Sequence, residues 1–186
     1  MIEAIKYSAY NLGVKANLTW VNAKEFEDKK KKVDELKKFD GILVPGGFGE
    51  SGILGKLKAI EYARIHKIPY FGLCYGMQLL VIEYARNVLG FKDANTAEIN
   101  PNAEKVVIDI MPEQKKHLAE GRYGASMRLG AYHAHLVKGS LAEKAYGVDT
   151  ISERHRHRYE VNPAYVGELA SAGLVFSGTS PDGSLC

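Results

Sequence analysis

The chain has 186 residues, 46% of them apolar and 25% charged, proportions that fit one globular domain and exclude wholesale disorder and collagen-like repeats. Twenty-five basic against 22 acidic side chains leave a net charge of +3, too weak a balance to argue for nucleic acid. Two cysteines, Cys74 and Cys186, cannot make a disulfide framework, and no apolar run reaches the roughly 18 residues of a membrane span. The first residues carry no signal-peptide pattern, so the expectation is a cytoplasmic protein with free thiols and no membrane contact.

Residues 1–12 read as a helix with Ile2, Ile5 and Leu12 on one face and no capping residue before them. Residues 17–21 read as a strand. Residues 24–38 hold twelve charges in fifteen positions and read as a solvated helix or loop. Gly41–Pro45 is a short apolar strand, 46–52 a glycine loop, 54–66 a helix, Ile68–Leu73 a second apolar strand and 76–89 a mostly apolar helix. Strand–helix repeats with short connections imply parallel strands. The second half predicts strands at Lys105–Ile110, Arg128–Val137 and Thr150–Tyr159, a short helix or turn near 141–147, a helix at 163–172 and a last strand at Gly173–Gly178. Met111–Gly124 is polar and reads as a loop. With no repeat and no linker, the chain reads as a single α/β domain.

Gly47-Phe-Gly49-Glu-Ser-Gly52 spells a dinucleotide fingerprint, but the acid that should follow about 20 residues later is missing. No Asp or Glu occurs from Tyr62 to Ile82. A structural turn, or a loop whose amides face a reacting group, fits better. Gly72-Leu-Cys-Tyr-Gly76 places a cysteine between a buried strand and a helix, in the manner of a nucleophile elbow. The flanking glycines leave room for a crowded backbone. The helix N-terminus should favour thiolate at Cys74. The Tyr75 amide can donate to an oxyanion, and Gly47 is placed to supply a second donor. The bland alternative is a small buried cysteine. Cys186 has no such context.

In the strand containing residues 153–160, Arg154, Arg156 and Arg158 fall on one face and His155 and His157 on the other. The two histidines lack a third metal partner in the sequence, so no metal is expected. A phosphate or RNA patch and a solvated or interface strand are the other readings. His133 and His135 share a strand face and read as structural.

Together, Val44-Pro-Gly-Gly-Phe-Gly49, Gly72-Leu-Cys-Tyr-Gly-Met-Gln78, Glu83-Tyr-Ala-Arg86, Asn95-Thr-Ala-Glu98, Met127-Arg-Leu-Gly130 and Glu153-Arg-His-Arg-His-Arg-Tyr-Glu-Val-Asn162 resemble the class I (triad) glutamine amidotransferases. The last two stretches resemble more narrowly the glutaminase domains of the CTP synthase family. The resemblance covers nearly the whole chain. It implies a three-layer α/β sandwich around a mostly parallel, flavodoxin-like sheet. It implies that Cys74 attacks the side-chain amide of glutamine and forms a glutamyl thioester, with the amides of Gly47 and Tyr75 holding the oxyanion. Gln78, Glu98 and Arg158, with backbone at Gly76 and Met77, would hold the glutamine: Glu98 suits its ammonium and Arg158 its carboxylate. In that family the ammonia passes to a separate amidoligase domain that aminates UTP with ATP and Mg2+, with GTP as activator, in an enzyme expected to be a homo-oligomer. No cofactor is expected in residues 1–186 themselves. A non-catalytic binding module and another cysteine hydrolase of the same fold, of the intracellular-peptidase kind, are the alternatives.

Two departures stand out. The family triad is completed by a His-x-Glu pair, and none of the six histidines here is followed two residues later by Glu. Ser51 also stands where an arginine is expected. The sequence therefore reads as a domain clipped at both ends, with a first strand and the His-x-Glu segment outside it. Without that general acid–base pair, neither departing ammonia nor attacking water is assisted. Purified residues 1–186 are predicted to show negligible steady glutamine turnover; sustained ammonia release, lost on mutation of His133 or His135, would contradict this.

Overall fold

The computed structural model describes residues 1–28, 30–111, 114 and 128–186. The predicted Met111–Gly124 loop falls largely outside these residues, as do Met127 and His117. Helix α1 (Ile2–Asn11) comes first, followed by irregular chain. The strand expected at 17–21 does not form. Its composition is strand-like, but a strand also needs a partner edge. This segment makes no ladder bonds, and it leaves Trp20 exposed beside an apolar groove. The charged segment contains a short helix α2 (Lys24–Glu27) and a 3-10 turn (Val33–Lys38). It is solvated as expected, except that Phe26 and Leu36 drop into a small core with Ala59 and Tyr62.

Strand β1 (Ile42–Val44) pairs in parallel with β2 (Tyr70–Gly72), and helix α3 (Ile53–His66) connects them. Helix α4 (Tyr75–Asn87) follows β2 directly. Strands β3 (Asn95–Thr96) and β4 (Val106–Ile110) are parallel, and β4 is antiparallel to β7 (Tyr159–Val161). Strand β5 (Arg128–Leu136) lies between β6 (Thr150–His157) and β8 (Gly178–Thr179), antiparallel to both. Among the described residues the parallel pairs thus lie within residues 42–110, and each antiparallel pair includes a strand from residues 128–179.

Helix α5 (Leu141–Tyr146) is capped by the Ser140 hydroxyl, which accepts from the Glu143 N–H at 3.1 Å. Helix α6 (Pro163–Ser171) starts at Asn162, whose side chain accepts from the Ala164 N–H at 3.1 Å, with proline at the first helical position.

Two predicted strands change shape. Thr150–Tyr159 breaks at Arg158, because β6 serves β5 while β7 serves β4. Arg158 therefore does not continue the alternation of Arg154 and Arg156. Gly173–Gly178 pairs only at its end, because the Gly173 and Leu174 amides are spent on closing α6 at the Ala170 and Leu169 carbonyls.

The main core joins Ile60 of α3, Leu79 and Ile82 of α4, Val107 and Ile108 of β4, and Leu169 of α6. Each such buried aliphatic side chain contributes about 1.5–3 kcal/mol relative to exposure. The Glu83-Tyr-Ala-Arg86 motif braces this core. Glu83, 1% exposed, takes a bidentate bond from Arg64 (Nε–Oε2 3.0 Å, Nη2–Oε1 2.7 Å) and a third from Asn87 Nδ2 at 2.9 Å. The Tyr84 hydroxyl donates to the Ala172 carbonyl at 2.6 Å, and Arg86 Nε to the Ala94 carbonyl at 2.7 Å. No helix among the described residues is long and apolar enough to cross a membrane.

A carboxylate this buried depends on its cation. R64M is expected to lower unfolding free energy by about 3 kcal/mol in urea denaturation, and R64M/E83L to regain most of that loss. A loss below about 1 kcal/mol for R64M would show that Glu83 is held by its other bonds alone.

Candidate active site

The site is built where β2 turns into α4. The Leu73 N–H donates to the Val44 carbonyl at 3.0 Å, carrying the β1–β2 pairing one residue further. At Cys74 the backbone swings to φ 50° and ψ −103°, and Cys74 becomes the N-cap of α4. For a residue with a Cβ this conformation costs on the order of 1–3 kcal/mol. Bonds on both sides hold it: Gly76 N–H to the Leu73 carbonyl at 2.9 Å, Gln78 N–H to the Cys74 carbonyl at 3.0 Å, and the Tyr70 hydroxyl to the Gly76 carbonyl at 2.8 Å. Only glycine fits on either side. A Cβ at Gly76 would stand 2.2 Å from the Val44 carbonyl oxygen, and one at Gly72 would stand 2.6 Å from the Gly76 carbonyl carbon.

The glycine loop lies against this corner. The Tyr75 hydroxyl donates to the Gly49 carbonyl at 2.7 Å, and the Gly49 N–H donates to Glu98 Oε1 at 2.9 Å. The Gly47 N–H has no acceptor among the described residues. Burial, with the Glu98 and Glu50 charges, pushes the Tyr75 phenol up to about 12, so it stays protonated and donating.

Cys74 is exposed and Cys186 half-buried, and both thiols are free. The expectation of a favoured thiolate at Cys74 is reversed. Burial pushes the thiol up, the Tyr75 N–H bond pulls it down by less, and the Glu160 and Glu98 carboxylates add to the rise. The helix N-terminus supplies one amide to the sulfur, which burial and the two acidic charges outweigh.

Cys74 opens onto a cavity of about 580 Å³. Met77 and Gln78 of α4 line one side, and His133, His155 and Glu160 of the β5–β7 region line another. Gln78 is 4% exposed and its Nε2 donates to the Tyr159 carbonyl at 2.9 Å, so it ties α4 to β7 as well as lining the cavity. Arg158 sits at the β6–β7 break, and neither it nor Glu98 lines the cavity directly. Burial first, then the Glu98 charge, pushes the Tyr159 phenol up, and the Arg158 charge opposes the rise. Tyr159, within the Glu153–Asn162 stretch, is bonded to Gln78 through its backbone carbonyl and lines the same cavity. Cys186, which looked unremarkable in the sequence, lines the same cavity as Cys74.

His133 faces the cavity, whereas His135 turns away to Thr150 Oγ1 at 3.2 Å. His155 and His157 also reach the cavity wall, with His155 Nδ1 3.4 Å from His157 Nε2. His157 Nε2 is bonded in turn to Glu160. The third partner that the sequence did not reveal is therefore Glu160, three residues on and across the strand break. Burial, then the Arg128 charge and His157, push the His155 imidazole down. Arg128 Nη1 lies 3.8 Å from Glu160 Oε1, and its guanidinium stacks 4.1 Å over the Tyr132 ring. A second cavity, about 410 Å³ near Trp20 and Phe26, has no cysteine, histidine or acid in its lining.

The glutamine amidotransferase class-I family matches residues 1–186. A CTP synthase from Methanococcoides burtonii is 53% identical over 178 residues, 96% of this chain and 33% of that protein. One from Shouchella clausii is 50% identical over 184 residues, 98% of this chain and 34% of that protein. Among solved structures, the glutaminase domain of Trypanosoma brucei CTPS with bound acivicin superposes with a TM-score of 0.87 at 39% identity, covering 96% of this chain and 67% of that one. The chain belongs to the class I glutamine amidotransferase family and has its α/β fold. It spans about a third of the length of the curated relatives it matches.

A raised thiol titrates late. Alkylation of Cys74 by iodoacetamide should climb with pH along a curve whose midpoint lies above the roughly 8.5 of a free cysteine. E98Q removes one of the opposing charges, so it should shift that curve to lower pH and speed labelling at neutral pH. Unshifted curves, or a wild-type midpoint below that of free cysteine, would show that the helix amide outweighs the acids.

Proposed function

We propose that this chain is the glutamine-hydrolysing part of a CTP-forming synthetase. The observation that carries this is Cys74 itself, strained at the N-cap of α4 beside the open Gly47 amide and at the mouth of a cavity. The sulfur of Cys74 attacks the carbonyl carbon of the glutamine side chain. The oxygen becomes a tetrahedral oxyanion that the N–H groups of Gly47 and Tyr75 stabilise. The C–N bond then breaks, nitrogen leaves as ammonia with the thiol proton, and a γ-glutamyl thioester stays on the sulfur. Water then cleaves the thioester, releasing glutamate and restoring the thiol, the step for which residues 1–186 offer no His-x-Glu base and which limits their turnover.

Glutamine is held by its two charged ends, its ammonium at Glu98 and its carboxylate at Arg158, with Gln78, Gly76 and Met77 shaping the floor. Support comes from Gln78, which lines the cavity that Cys74 opens onto, and from Glu98, which accepts from Gly49 N–H in the loop bonded to the Tyr75 hydroxyl. It also comes from the relative whose glutaminase domain holds acivicin, a glutamine analogue. The ammonia goes to a synthase domain of the longer protein, which aminates UTP with ATP and Mg2+ under GTP activation. No residue of this chain is assigned to those nucleotides.

Charge-assisted bonds of this kind are worth about 1.5–3 kcal/mol each, or about 10–100-fold in affinity. Titration calorimetry with glutamine should show E98A and R158A weakened by that factor while both keep the wild-type circular dichroism spectrum. Glutamine affinity unchanged in both variants would overturn the assignment of the charged ends. No glutamine binding by the wild type would favour a non-catalytic module.

A further inference from the structure

The cluster on the cavity wall has a use that glutamine hydrolysis does not require. His155 and His157 are two residues apart on β6, so their rings leave the same face of the strand. Glu160 returns to them after the break at Arg158, from the adjoining strand β7. One ligand atom from each of the three lies within 4.8 Å of the other two. The groups already contact one another, His155 to His157 at 3.4 Å and His157 to Glu160. The Glu160 side chain is 8% exposed, so this is a buried carboxylate rather than one acid in a solvated surface group.

We propose that His155, His157 and Glu160 form a binding site for a divalent transition metal of the zinc class, in the wall of the cavity that Cys74 lines. Two imidazoles and one carboxylate supply three ligands of a tetrahedral site and leave the fourth position open towards the cavity. Imidazole donors favour zinc, copper, nickel or iron over magnesium and calcium, which take oxygen ligands. Among the described residues Arg128 also pairs with Glu160, its Nη1 at 3.8 Å from Oε1. Its guanidinium also stacks on Tyr132, and a metal bound here would replace the direct His157–Glu160 contact with bonds to both groups. Arg154 and Arg156 leave β6 on alternate positions from the two histidines. This site goes beyond the glutamine reading and does not depend on it, since none of its three ligands is assigned to glutamine.

The test is equilibrium dialysis of the whole chain against zinc chloride, with cobalt(II) as an optical reporter. One equivalent of zinc should bind, and cobalt should give the strong visible absorption of a four-coordinate site. H157A should abolish the cobalt bands. H155N and E160Q, the milder changes if H157A misfolds, should weaken zinc by at least about tenfold, the scale on which even supporting residues act. H133A/H135A and C74S/C186S should keep the one equivalent. Absence of zinc binding by the folded wild type overturns the proposal. So does binding that survives H155N and E160Q unchanged, or binding that disappears in C74S/C186S, because the metal would then sit on other side chains.

Discussion

The site depends on one backbone corner. The chain leaves β2, turns through a left-handed φ at Cys74 and enters α4 at once, with no loop to absorb the change. That is possible only because Gly72 and Gly76 let the turn fold onto itself and onto the Val44 carbonyl. The parallel β1–β2 pair fixes that carbonyl, and α3 and α4 pack Ile60, Leu79 and Ile82 beneath it. The strain of the corner is a few kcal/mol, within reach of the burial in that core. The same corner aims the sulfur outward, gives it the Tyr75 amide and brings the glycine loop alongside.

Electrostatics around the sulfur work in the opposite direction from the simple helix-terminus argument. A single amide donates to Cys74, while partial burial and the Glu160 and Glu98 charges push its thiol up. The thiol therefore rests protonated in the free protein. A substrate ammonium placed at Glu98 would cancel one of the opposing charges, so binding of glutamine itself would help to ionise its nucleophile. The proposed role of Glu98 would thereby tie recognition of the ammonium end to activation of the sulfur.

The parts legible in the sequence are those governed by local rules. Helices α3, α4 and α6 form close to the segments 54–66, 76–89 and 163–172, and the elbow shows in its paired glycines. What the sequence hid depends on partners far along the chain. Residues 17–21 look like a strand but have no edge to bond, and 173–177 look like a strand but are used to close a helix. The run 150–159 is broken because two sheets compete for it. The same break brings Glu160 back to His155 and His157, and it turns the Tyr159 carbonyl to Gln78 of α4. Neither contact follows from residue spacing within a single strand. The sense of the Cys74 shift was also out of reach, since the acidic charges that add to it come from residues 98 and 160.

The most direct test of the elbow as a nucleophilic site is peptide-resolved mass spectrometry of the protein after brief exposure to an electrophilic glutamine analogue such as acivicin. Cys74 and Cys186 line one cavity, so they are internal controls for each other. The proposed geometry predicts an adduct on Cys74, little on Cys186, and suppression of the Cys74 adduct by added glutamine. Equal labelling of both thiols, or a Cys74 adduct indifferent to glutamine, would contradict it.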